Sequence, residues 1–142
     1  PAMYRRFFKP RHKAIIERIK QLNPNLIVFL HSCGGIYELL PDLIEAGVEV
    51  INPVQISARH MEPEQLKKEF GKDITFWGGG CDTQAVLSRG TPQQIKDHVR
   101  RNIDIFAPGG GFVFNQVHNV LSEIPPANMV AMWEEAGGSC GL

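Results

Sequence analysis

Short apolar runs alternate with amphipathic segments along the chain. The apolar runs, which contain β-branched and aromatic residues, predict four strands at residues 26–31, 48–52, 74–77 and 112–115. Between them the pattern predicts helices at residues 4–22, 36–46, 63–70, 91–106 and 125–135. Pro10 is expected to kink or split the first helix. Gly and Pro residues separate these elements, so the connections are short.

One helix followed by four strand–helix units predicts a single α/β domain with parallel strands over residues 1–142. Four strands cannot close a (β/α)8 TIM barrel, which takes about 250 residues, so the pattern fits half a barrel or a small open sheet. We favour the half barrel, because the turn Cys33-Gly-Gly35 lacks the G-x-G-x-x-G pattern of a dinucleotide-binding fold. A half barrel leaves a strand unpaired at each edge, which predicts a homodimer through the open edges or association with a missing half.

The first predicted strand, which we expect to be buried, runs directly into His31 and Cys33. Residues two apart on extended backbone point to the same side, so these two side chains should emerge together. Imidazole and thiolate are the ligands that zinc prefers. In α/β barrels the chemistry takes place at the carboxyl ends of the strands. The pair therefore predicts a metal or catalytic site, with a structural role as the alternative.

Ligand-type residues follow two other predicted strands. Cys81 and Asp82 come after the third strand, and Asn115 and His118 end the fourth. Because the strand ends of a barrel meet at one mouth, three or four nitrogen and sulfur donors are expected to surround one opening and hold zinc. Taken alone, Cys81 is better explained as a small buried apolar side chain, and His118 as a hydrogen-bonding structural histidine. Three further histidines in predicted helices or loops are expected at the surface: His12, His60 and His98.

Composition narrows the class of protein. The chain has 15 Lys and Arg against 15 Asp and Glu, a formal net charge of +0, and 43% hydrophobic residues. These values are typical of a soluble globular domain and give no sign of a nucleic-acid or membrane partner. The polar, basic N-terminus lacks a signal-peptide pattern and the three cysteines are scattered, which together predict a cytoplasmic protein. Position 1 is Pro rather than Met, which indicates a fragment or a processed chain.

Several motifs, in order and spacing, resemble the uroporphyrinogen decarboxylase (URO-D) superfamily. They are Phe76-Trp-Gly-Gly-Gly-Cys-Asp-Thr-Gln84, Gly90-Thr-Pro92, Ala107-Pro-Gly-Gly-Gly-Phe-Val-Phe-Asn115, His118-Asn119 and Ile124-Pro-Pro-Ala-Asn128. His31-Ser-Cys33-Gly34 resembles the H-x-C-G element of the methyltransferase branch of that superfamily. The resemblance covers nearly the whole chain and implies the C-terminal half of a (β/α)8 barrel.

The resemblance implies a zinc-dependent, methyltransferase-like enzyme that activates a thiol such as coenzyme M or moves methyl groups to and from cobalamin on a partner corrinoid protein. His31 and Cys33 carry over as zinc ligands. The third ligand, often Cys in that branch, matches His118 here, with Cys81 as a second candidate. An alternative is a metal-free uroporphyrinogen decarboxylase of porphyrin biosynthesis, in which Asp82, Asn115 and His118 carry over as catalytic residues. A third hypothesis is a catalytically inactive half barrel that associates with itself.

Overall fold

The four strands form one parallel sheet, in which each strand lies beside the next one in chain order. A computed structural model describes residues 1–140 of the chain, with side chains described up to residue 137. The sheet has half the strands of a (β/α)8 barrel and helices in the connections, so the α/β half-barrel prediction is confirmed. In chain order the elements are α1 (Lys9–Leu22), β1 (Phe29–His31), α2 (Leu40–Ala46), β2 (Val50–Asn52), α3 (Pro63–Phe70), β3 (Thr75–Trp77), α4 (Pro92–Phe106), β4 (Phe112–Val113) and α5 (Pro126–Cys140).

The helices form because local start signals coincide with apolar spacing. α4 begins at a reciprocal capping box in which the Thr91 hydroxyl accepts from the Gln94 amide and the Gln94 side chain accepts from the Thr91 amide. Ile95, Val99 and Ile103 then recur at helical spacing and are buried. This inner face of α4 packs on α5 and on the turn that follows β3. The helix therefore anchors the loop that leads out of β3.

The helical face of the sheet carries the main core. Leu30, Ile51, Phe76 and Phe112 are register partners across the four strands, and all of them pack in this layer. Phe76 is fully buried, and its ring centroid lies 5.2 Å from that of Phe106 on α4. The next residue along each strand points the opposite way. We call that opposite side of the sheet, which carries Phe29, His31, Asn52, Trp77 and Val113, the open face.

The structure corrects one main prediction about the fold, that residues 26–31 form a buried strand. Only Phe29–His31 pairs as β1, and Phe29 keeps 47% of its surface exposed. Leu26 and Ile27 are also exposed, at 48% and 69%. The physical reason is that β1 is an edge strand, with β2 on one side and no strand on the other. Its apolar residues belong to a layer that this chain alone leaves open.

Other boundaries shift by a few residues. The first helix begins as a π-helical turn over Tyr4–Phe8 and becomes α-helical at Lys9, next to Pro10. A 3-10 turn precedes α2, and the remaining strands are two or three residues long. A second π-helical turn, Thr83–Leu87, follows β3 and was not predicted. α5 runs five residues beyond the predicted end at Glu135, because Ala136 is still buried against its neighbours.

The turn after β3 requires glycine at one position. Gly78 has φ of 124°, and a Cβ placed on it would lie 1.9 Å from the carbonyl oxygen of Pro53. The loops after β2 and β3 can therefore approach each other only with Gly at position 78.

Within the described residues, none of the helices is both long and apolar enough to cross a membrane.

Candidate functional site

An open cleft of about 810 Å³ lies at the carboxyl ends of the strands. Segments that follow all four strands line it, as expected for the mouth of a barrel. Most of the lining side chains are polar, and many are amides. The lining residues are His31, Cys33, Asn52, Pro53, Thr83, Gln84, Ser88, Arg89, Asn115, Gln116, Val117, His118, Asn119, Leu121, Glu123 and Ile124.

His31, Cys33 and Asn52 form a connected chain of polar contacts on one wall of the cleft. The Nδ1 atom of His31 lies 2.6 Å from Oδ1 of Asn52, and Nδ2 of Asn52 donates to the carbonyl of Trp77 at 2.9 Å. Because Oδ1 can only accept, His31 must carry its proton on Nδ1. In the neutral imidazole with this tautomer, Nε2 carries the free lone pair, and it lies 3.3 Å from Sγ of Cys33. The predicted pair is therefore assembled, with the thiol positioned to donate to the imidazole.

The loop after β2 holds the loop after β1 in place. The amide of Ser32 donates to the carbonyl of Asn52 at 2.7 Å, and the amide of Gly34 donates to Oε1 of Gln55 at 2.8 Å. Gly34 has φ of 88°, a conformation that favours glycine. Asn52 and Gln55 are thus site residues that sequence reasoning missed. Their signal was that both are polar, with Asn52 at the carboxyl end of the strand beside β1 and Gln55 three residues further along the chain.

The opposite wall of the cleft comes from the segment after β4. Asn115 and His118 both line the cleft. This segment is fixed to the β3 loop by backbone bonds, from Gly80 to the Asn115 carbonyl at 2.9 Å and from Val117 to the Cys81 carbonyl at 2.9 Å. Within the described part of the chain, the side chains of Asn115 and His118 make no hydrogen bond or ion pair. They are therefore free to contact a bound molecule.

Cys81 and Asp82 lie behind the cleft rather than on its surface. Cys81 is fully buried, and desolvation raises the pKa of its thiol to about 12. This environment disfavours the thiolate that zinc binds, so Cys81 is the least suited of the four predicted ligands. Asp82 is 6% exposed, and its carboxylate accepts from the amide of Gln84 at 2.9 Å, which starts the π-helical turn.

His98 is not a surface residue, contrary to the sequence prediction. It is half-buried beneath the β3 loop, where its Nε2 atom accepts from the amide of Asp82 at 3.2 Å. Nδ2 of Asn102 lies 3.0 Å from the same nitrogen and also donates to the carbonyl of Gly80 at 3.3 Å. Burial lowers the pKa of His98. His98 therefore supports the β3 loop behind the cleft.

The donor set fits zinc in part. His31 and Cys33 offer an imidazole nitrogen and a sulfur side by side, and the side-chain Oδ1 of Asn52 orients the imidazole in the manner typical of metal-binding histidines. Among the described side chains, residues 1–137, no three His, Cys, Asp or Glu are grouped closely enough to hold a metal ion. His118 shares the cleft with the pair but does not join such a group. The described residues therefore supply two ligands together and a third only across the cleft.

Comparison with known proteins agrees with this architecture. The family model described as Uroporphyrinogen decarboxylase (URO-D) matches residues 1–138. Curated relatives named uroporphyrinogen decarboxylase include one from Chlorobium phaeobacteroides, 25% identical over 136 residues, and one from Chlorobium limicola, 26% identical over 136 residues. Each match covers 92% of this chain and 36% of the relative. The chain thus spans about a third of the length of the curated relatives it matches.

A solved structure has the same fold. A methyltransferase from Methanosarcina mazei superimposes with a TM-score of 0.73 at 19% sequence identity. The match covers 97% of this chain and 37% of that structure. The smaller share is consistent with half of a larger barrel. At this identity the likeness establishes the fold alone.

Proposed function

The chain belongs to the uroporphyrinogen decarboxylase family, and from that premise we propose that it carries the His–Cys site of a methyltransferase-like member. The observation that carries this proposal is the contact of 3.3 Å between Nε2 of His31 and Sγ of Cys33 on the wall of an 810 Å³ cleft. Removing acetate carboxyl groups without a metal does not need a thiol at this position. A thiol paired with an oriented imidazole instead suits metal binding or thiol chemistry.

In this proposal His31 and Cys33 hold a zinc ion, with His118 as the candidate ligand from the opposite wall. A bound zinc ion supplies Lewis acidity, which lowers the pKa of a substrate thiol or water. Side chains of this protein orient the groups that would bind the ion. Asn52 keeps the proton of His31 on Nδ1, so that Nε2 stays available as a donor to the ion or as an acceptor for the Cys33 proton.

The rest of the cleft suits a small polar substrate. Its lining combines the amides Gln84, Asn115 and Asn119 with the guanidinium group of Arg89. These groups donate and accept hydrogen bonds and fix the orientation of a bound molecule. Thiol activation or methyl exchange with a corrinoid partner protein are the reactions we propose for a substrate held beside the His–Cys pair.

A cobalt-binding experiment tests the site. Co²⁺ occupies zinc sites and gives a thiolate-to-metal absorption band only when sulfur coordinates it. We expect the band in the wild-type chain and in Cys81→Ala, and its loss in Cys33→Ser. Cys81→Ala is the matched control, because it removes the other described thiol without touching the cleft. A band that survives in Cys33→Ser, or one that is lost only in Cys81→Ala, would contradict the proposal.

Decarboxylation of uroporphyrinogen is the second candidate, favoured by the names of the curated relatives. In that case Asn115 and His118 would contact the substrate, and the His–Cys pair would be dispensable. Uroporphyrinogen turnover by the wild type and by a His31→Ala/Cys33→Ala double variant separates the two candidates. Equal turnover in both proteins favours the decarboxylase, whereas metal-dependent activity lost in the double variant favours the methyltransferase-like enzyme.

A further inference from the structure

A second cavity, of about 350 Å³, lies between the π-helical turn Thr83–Leu87 and the first turns of α4. Of its lining residues only Arg89 also lines the cleft that holds the His31–Cys33 pair. Its volume falls within the range of about 300–1,000 Å³ that is typical of small-molecule sites. The lining residues are Ala85, Val86, Arg89, Gly90, Gln94 and His98. The chain therefore has a candidate ligand site outside the cleft.

The hydrogen bonds of His98 fix which of its ring nitrogens carries the proton. Its Nε2 atom accepts from the amide of Asp82 at 3.2 Å, and Nδ2 of Asn102 lies 3.0 Å from the same nitrogen. Because that Nδ2 atom also lies 3.3 Å from the carbonyl of Gly80, which can only accept, it is a donor. In the neutral imidazole the proton is therefore on Nδ1. Within the described residues Nδ1 has no acceptor and is not sealed from solvent, so its N–H can bind a ligand.

Gln94 and Arg89 offer further unpaired donors. Oε1 of Gln94 accepts from the amide of Thr91 at 2.8 Å in the capping box of α4, so its Nε2 atom is the end left without a partner. The guanidinium group of Arg89 has no hydrogen bond or ion pair to any residue that the structure describes. Three lining side chains therefore offer N–H groups, and one of them carries a full positive charge.

Acceptors around the cavity are already occupied. The two side-chain acceptors are used in the bonds given above. The carbonyl of Val86 accepts from the amide of Gly90 at 2.7 Å, and the carbonyl of Gly90 accepts from Nδ2 of Asn128 at 3.0 Å. None of the lining residues, all of which are described, is acidic. The cavity therefore has donors to spare, and a ligand that satisfies them must supply acceptors.

We propose that this cavity binds the oxyanion group, phosphate or carboxylate, of a small organic molecule. The guanidinium, amide and imidazole N–H groups donate to its oxygens, and hydrogen bonds to a charged group are stronger than neutral ones. Ala85 and Val86 supply apolar surface for the rest of the molecule. The charges that act on His98 come from Asp82 and Arg101 and have opposite signs, so the free donors decide the class of ligand. The inference is independent of the reaction proposed for the cleft.

Titration of the chain with inorganic phosphate and, separately, with acetate tests the site. Chloride holds the ionic strength constant at fixed pH, and ¹H–¹⁵N spectra follow the imidazole nitrogens of the histidines. We expect shifts of the His98 nitrogens that saturate with a Kd on the order of 1 mM. Saturation by phosphate alone identifies a phosphate group as the ligand, and saturation by acetate alone identifies a carboxylate; either supports the proposal.

Two neighbouring glutamines provide a variant and its matched control. Gln94→Glu keeps the capping box, because Glu also accepts at this position, but replaces a donor in the cavity by a carboxylate. Binding should weaken roughly 10-fold or more. Gln93→Glu adds the same charge one residue away, on a side chain that does not line the cavity, and should weaken binding by less than about 3-fold. Arg89→Gln should also weaken binding roughly 10-fold.

Thermal unfolding should show all three variants folded, because each changed side chain is exposed. The absence of a saturable shift with either anion, or equal losses of affinity in Gln93→Glu and Gln94→Glu, would overturn the proposal. Shifts confined to His31 and His118 would also overturn it. They would place the anion in the cleft, which Arg89 lines as well.

Discussion

Replacing Asn52 by Leu is the sharpest single perturbation of the candidate site. Asn52 is 9% exposed and connects two strand ends, with Oδ1 against Nδ1 of His31 at 2.6 Å and Nδ2 against the Trp77 carbonyl at 2.9 Å. Leu has a similar volume but can make neither bond. The substitution therefore removes the orientation of His31 while leaving the packing of β2 close to its original state.

The expected loss of stability follows from these two bonds. A hydrogen bond contributes about 0.5–1.5 kcal/mol net, so the free energy of unfolding should fall by about 2 kcal/mol. For a chain of this size that corresponds to a Tm lower by roughly 6–8 °C. Loss of a residue that orients a metal-binding histidine typically weakens metal affinity by roughly 10–100-fold. We expect a loss of that size for zinc at the His31–Cys33 pair.

Asn52→Asp separates the two bonds. Its carboxylate still accepts from His31 but faces the Trp77 carbonyl without a proton to donate, so stability should fall while the tautomer of His31 is retained. Thermal unfolding measures the first effect, and ¹⁵N chemical shifts of the imidazole measure the second. The reasoning would be refuted if Asn52→Leu left His31 protonated on Nδ1, or if zinc affinity were unchanged in a folded Asn52→Leu protein.

Three further outcomes are expected. Iodoacetamide should alkylate Cys33, which is exposed, and should not react with Cys81 until the protein unfolds. Mass spectrometry of the peptides measures the labelling, and early labelling of Cys81 would contradict its burial. Thr91→Ala should lower the free energy of unfolding by about 1 kcal/mol in urea titration, because it breaks the capping box of α4, and an unchanged midpoint would argue against that cap. The hydrogen bond from Lys9 is the main cause that lowers the pKa of Asp42. This carboxylate therefore stabilises the fold above pH 4, about its unfolded pKa, and loses that effect as the pH falls further. The Asp42→Asn variant should be less stable than the wild type at pH 7 and should approach wild-type stability in acid.

The strands and helices could be predicted because each is encoded locally. The apolar runs placed every strand, and Thr91-Pro92 located the start of α4 to the residue. The burial of a strand could not be predicted in the same way, because it depends on the neighbours of that strand in the sheet. The apolar run at residues 26–31 reads as a buried strand, yet β1 lies at an edge and stays exposed. Its composition suits a closed barrel rather than the single chain.

The candidate site likewise has contacts that the local sequence predicts and contacts that depend on tertiary structure. The contact between His31 and Cys33 could be predicted from a local rule, that residues two apart on extended backbone share a side, although β1 itself ends at His31. Asn52 contacts His31 only through the register between β1 and β2, which no local pattern encodes. His98 had a signal that was overlooked, since its spacing from Ile95 and Asn102 places it on the inner face of α4.

Anomalous diffraction at the zinc absorption edge would test the central claim most directly. Crystals of the chain grown with one equivalent of zinc should show a peak bonded to both Sγ of Cys33, at about 2.3 Å, and Nε2 of His31, at about 2.0–2.1 Å. The same map would identify whether His118 completes the coordination. A zinc peak away from this pair, or none in crystals that retain its contact of 3.3 Å, would contradict the assignment.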